Sequence, residues 1–175
     1  MHTKFLGKEN KRMAESLVDF LKKQATRSFR DILREVEGLT PEQAFHGRSK
    51  DWPSQQWGVG QDGSIAGIAY HVAAWKRMSL KILDPNVNVV QSSPSDLAAA
   101  PSPDDWEGIA GWLKSVGEEW NAAIQNLPPE EFDVRKTWEG ESMLVSEYIT
   151  HLYEHNLQHA AQIEYLKQSM LVSEL

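Results

Sequence analysis

A chain of 175 residues, 41% hydrophobic and 25% charged, has the composition of an ordinary globular protein and can bury a full core as one domain, 1–175. Its net charge of −7 argues against a dedicated nucleic-acid binder, because neutralising phosphates needs a basic surface. The absence of Cys excludes disulfides, thiolate metal ligands and a protein-borne thiol nucleophile.

The first stretch, MHTKFLGKENKR, is polar and lacks the apolar core of a signal peptide. No run approaches the ~18 apolar residues of a membrane span. A cytoplasmic protein with no membrane partner is therefore expected. From about Asn10 to Glu37 the pattern is helical, with Met13, Leu17, Leu21, Ala25, Phe29, Ile32 and Val36 on one apolar stripe. Gly38 stops it, and Thr40-Pro41-Glu42-Gln43 reads as a capping box that opens a short turn of helix. Residues 47–63 read as a Gly-rich loop whose Trp52 and Trp57 pack onto the core or wall a pocket.

Ser64 is a plausible N-cap for a second long helix reaching about Leu83, where Asp84-Pro85 ends it. Its inward stripe is Ile65, Ile68, His71/Val72, Trp75, Met78 and Ile82. Residues 84–102, rich in Pro, Ser and Ala, read as an irregular connection long enough to return along a helix of twenty residues. Ser102-Pro103-Asp104-Asp105 looks like the start of a third helix, with Trp106, Ile109, Leu113, Val116, Trp120, Ala123 and Leu127 inward and Trp112 off that face. Pro128-Pro129 ends it, and weak alternation around Glu139-Gly140 suggests a small hairpin.

The stretch Ser146–Lys167, SEYITHLYEHNLQHAAQIEYLK, has no Pro or Gly and reads as a fourth long helix. His151, His155 and His159 recur every four residues, which brings neighbouring Cβ atoms to roughly 5–6 Å. His155 and His159 fall on the core stripe between Leu152 and Ile163. Two adjacent imidazoles pointing into a bundle need a partner, and a divalent ion can serve both. His71 is the candidate third ligand, although a lone core histidine is more often neutral and hydrogen-bonded to a neighbour. His2 and His46 suggest nothing.

The segments SIAGIAYHVAAW and HLYEHNLQHAAQ, set on four amphipathic helices with long connections, resemble the DinB superfamily of YfiT-like proteins over nearly the whole chain. That resemblance implies an all-α four-helix bundle running up-down-down-up, with His71, His155 and His159 binding one divalent metal. It also implies a homodimer and a small-molecule substrate. Many members follow the last His with Arg-Gly-Gln. Here Ala160-Ala161-Gln162 keeps the Gln, but an anion-docking Arg has no counterpart. His151, Gln162 and Trp75 are candidates for supporting or pocket positions.

Three neutral imidazoles leave open positions on the metal, a catalytic rather than a purely structural arrangement, and zinc lowers the pKa of water it binds to about 7. Zn or Ni fits best, with Fe or Mn as alternatives. Relatives include bacillithiol S-transferases and a mycothiol-dependent maleylpyruvate isomerase. The resemblance thus implies a thiol S-transferase or a hydrolase acting on a small electrophile, with any thiol brought in as a low-molecular-weight cosubstrate. The alternative is a non-catalytic metal-binding stress or interaction protein. Glu118, Glu119, Glu147 and Glu154 lie on the candidate helices, each more simply a solvated charge than a proton-transfer group.

Overall fold

The computed structural model describes residues 2–49 and 62–173, with side chains described over 17–49 and 62–171. Trp52 and Trp57, and with them the expectation of a pocket wall, lie outside the described residues. In chain order the helices are α1 (His2–Val36), the single turn α2 (Pro41–Ala44), α3 (Ile65–Ser79), α4 (Trp106–Asn126) and α5 (Val145–Ser173). The four long ones form the bundle.

Local chemistry sets their ends. Gly38, at φ +74°, follows α1 in the left-handed conformation that glycine adopts at least cost. Thr40 accepts from the Gln43 amide while the Gln43 side chain accepts from the Thr40 amide, the reciprocal cap expected from the sequence. Ser64 caps α3 by accepting from Gly67 N at 3.0 Å. The cap of α4 is Asp105 rather than the expected Ser102: its carboxylate accepts from Gly108 N at 3.0 Å. Glycine at 108 leaves room for that carboxylate, since a Cβ there would fall 2.3 Å from it and push the cap aside.

The long elements are all helices, as expected, and a small sheet is added to them. Three short strands, β1 (Val89–Val90), β2 (Arg135–Trp138) and β3 (Glu141–Leu144), form a sheet in that order. Strands β2 and β3 are the expected hairpin, turned by Glu139 and Gly140 at φ +49° and +89° as a two-residue hairpin loop with primed geometry requires. Strand β1 comes from the connection read as irregular and pairs parallel to β2, Val90 opposite Trp138. Its carbonyls, with that of Asn88, take up amides the hairpin would otherwise leave unpaired: Thr137 N reaches Asn88 O at 2.9 Å and Glu139 N reaches Val90 O at 3.2 Å.

Contacts between helices place each neighbour. Lys22 donates to the Leu127 carbonyl at 2.9 Å, and Trp106 Nε1 donates to the Leu39 carbonyl at 3.0 Å, which ties α4 to α1 at both ends. Asn156 donates to Ser28 and Lys167 pairs with Glu35, each at 3.0 Å, tying α5 to α1. Tyr70 packs at a tilt against the half-buried Trp112, with ring centroids 5.1 Å apart, and Arg77 pairs with Glu119 at 3.0 Å, joining α3 to α4.

The core falls into two apolar halves. One is built on Phe29, Ile32, Val72, Ile109, Leu113 and Ile163, the other on Met78, Trp120, Ile124, Phe132, Tyr148 and Leu152. Several buried polar residues fall along the chain between members of the two halves, Ser28 on α1, Lys76 on α3, and Asn156 and His159 on α5, while His71 stands next to Val72 of the first half. Among the described residues, no helix is long and apolar enough to cross a membrane.

Candidate metal centre

Helix α3 is buried on every side from Ile65 to Ala74, so His71 sits in a wall of apolar neighbours with 6% of its surface exposed. On α5, His159 is 2% exposed and His155 half-buried, the four-residue spacing having put both rings on the side that faces α3. The Nε2 atoms of His71 and His155 are 3.1 Å apart, and so are those of His155 and His159. A usable nitrogen from each of the three lies within 4.8 Å of the others.

Charge and tautomer follow from the surroundings. Burial pushes His71 down to about 4, reinforced by the nearby His159, and burial also lowers His155 and His159. All three rings are therefore neutral at pH 7. The Gln162 carbonyl oxygen stands 2.7 Å from His159 Nδ1 and can only accept, so Nδ1 carries the proton and Nε2 presents a bare lone pair to the cluster. In the ring plane, His155 Nε2 has either one proton or one lone pair. It can therefore complete a linear hydrogen bond with one neighbour but not with both. A cation at the common point satisfies all three nitrogens, and the donor set fits a borderline divalent metal. One feature departs from the usual pattern: His71 Nδ1 is buried with no partner among the described residues, whereas a metal-bound His ordinarily donates from its far nitrogen.

The surroundings are aromatic. The half-buried Trp75 ring lies 6.2 Å from that of His71 and 5.8 Å from that of His155. Trp138, delivered by β2, packs 6.2 Å from Trp75 and 5.2 Å from Tyr148. Sequence reasoning did not single out Trp138; the signal was the alternation of the hairpin, in which Lys136 and Trp138 turn inward. His151 is exposed and is not one of the three histidines whose nitrogens converge.

Among the described residues no carboxylate joins the cluster. Glu147 accepts from Leu144 N at 2.7 Å at the start of α5, Glu119 pairs with Arg77, and Glu118 and Glu154 are exposed. The nearest unusual cation is Lys76, fully buried over the faces of Trp120 (4.4 Å) and Phe29 (5.0 Å), whose positive charge further depresses His155.

Residues 24–163, a span that contains all three histidines, match the DinB superfamily. Among solved structures, YfiT from Bacillus subtilis, a probable metal-dependent hydrolase with an unusual four-helix bundle topology, aligns with a TM-score of 0.60 at 15% identity, covering 87% of each chain. At that identity the likeness is one of fold. No curated protein matches the chain.

Proposed function

The chain belongs to the DinB superfamily, and from that premise we propose that it is a metal-dependent hydrolase of a small electrophile, with His71, His155 and His159 holding one divalent ion. The observation that carries the reading is the meeting of three neutral Nε2 atoms, one of them fixed as a lone-pair donor by Gln162. When bound, the ion supplies Lewis acidity and lowers the pKa of water in its open positions.

The chain's own residues do the positioning. Gln162 holds the His159 ring in one tautomer and one orientation. The packing of α3 among buried neighbours fixes His71. Trp75 and Trp138 exclude water on one side, which strengthens electrostatic interactions inside. The donor set suits Zn or Ni first, Fe or Mn next.

The proposal extends to the frame: one domain over 1–175, running up-down-down-up. The paired contacts support it. Lys22 with Leu127 and Leu39 with Trp106 set α1 against α4, Ser28 with Asn156 and Glu35 with Lys167 set α1 along α5, and Tyr70 with Trp112 and Arg77 with Glu119 set α3 along α4. A homodimer rests on the family resemblance and is tested by light scattering.

The activity test is a panel of small esters, lactones and amides, with and without a low-molecular-weight thiol, run on metal-loaded protein. Hydrolysis that disappears with a chelator and returns with metal is the expected result. Turnover only when thiol is present would replace hydrolysis by S-transfer. A metal-loaded chain that turns over nothing, yet loses melting temperature when stripped, would mark the site as purely structural.

A further inference from the structure

Beside the three histidines, a groove of about 430 Å³ lies between α3 and α5. Its described lining is Gly63 and Ile68 on the α3 side, and Ala161, Gln162, Tyr165 and Leu166 on α5. Ile68 stands one turn before His71 and Gln162 one turn after His159, so residues three apart carry the surface from the cluster into the groove. Gln162 belongs to both: it lines the groove while its carbonyl oxygen accepts from His159. In a chain with 25% charged residues, no charged side chain appears among those lining residues.

We infer that the groove seats the uncharged, apolar acyl or alkyl part of the substrate, whose reacting group then lies at the three histidines; this rests on the metal-site reading above. The volume falls in the range of small-molecule sites. A charged tail would lose water there and meet no counter-ion among the described lining residues, and a strongly polar tail would find few partners, since Gln162 Oε1 is already engaged. A chain of methylenes loses nothing and gains burial against Ile68, Ala161 and Leu166.

The test uses aceto-, butano- and octanohydroxamate, which pair one metal-binding head with tails of increasing length, titrated by calorimetry into zinc-loaded protein. Affinity should rise about two- to four-fold for each added methylene. Ala161→Trp fills the groove from an exposed helical position and should flatten the series, so that octanohydroxamate binds no more tightly than acetohydroxamate. Tyr165→Asp, at a residue 71% exposed, should weaken the octanoyl compound alone. Acetohydroxamate binding with no dependence on tail length in the unaltered protein overturns the groove and leaves the metal site standing, and so does a slope that survives Ala161→Trp. Failure of the protein to retain zinc removes the metal reading and the groove with it, and failure of every hydroxamate to bind the zinc-loaded protein overturns the groove alone.

Discussion

Lys76 is a buried cation held in an aromatic cage. It is buried without a hydrogen-bond partner among the described residues, and desolvation pushes its pKa from 10.5 down to about 7. The folded state therefore holds its proton less tightly than the unfolded chain. Below about pH 7 both states are charged and the full desolvation cost is present; between about 7 and 10.5 that cost declines as pH rises; above 10.5 it is gone. Lys76→Met should accordingly raise the melting temperature by several degrees near pH 6–7, with the gain shrinking toward pH 10. Thermal melts across that range check it, and a gain independent of pH would contradict the assignment. Nothing in the order of residues singles this lysine out. A Lys on an amphipathic helix reads as solvated, and only the packing of α4 and α1 over α3 buries it. The histidines were legible because their four-residue spacing and apolar flanks are local facts.

At the scale of elements, the approach of α1 to α4 depends on one missing methyl. A Cβ at Gly117 would lie 1.8 Å from Phe29 Cζ, in the middle of a well-packed interface. Gly117→Ala should destabilise the fold by about 1–3 kcal/mol, read as a lower midpoint in urea with an unchanged slope. An unchanged midpoint would show that the Phe29 ring moves aside at little cost. The long helices could be read from periodicity, because amphipathic stripes and caps such as Ser64 are encoded within a few residues. Strand β1 could not be read: Val89–Val90 is too short to show a period, and it is a strand only because β2 stands beside it. Trp138 was missed for a different reason: its strand was legible, but that its inward face meets Trp75 is decided only by packing in the folded chain. Asp105 won the cap of α4 over Ser102 for a similarly local reason, the bare Cα of Gly108 within reach of its carboxylate.

In the whole molecule, the two apolar halves of the core carry stability, and a set of polar residues within the fold carries the candidate chemistry. Ser28, Lys76 and Asn156 belong to that set beside the histidines, with Asn156 Oδ1 and Lys76 Nζ left unpartnered among the described residues. Unpaired buried polar groups cost free energy, and folds retain such costs at functional sites more readily than elsewhere. The central claim is that three of these groups hold a metal. Elemental analysis of the purified protein beside a His155→Ala variant tests it most directly, since His155 is only half-buried and its removal leaves both core halves intact. Near-stoichiometric divalent metal in the unaltered protein, lost in the variant, is the predicted result. Equal metal content in the two would contradict it.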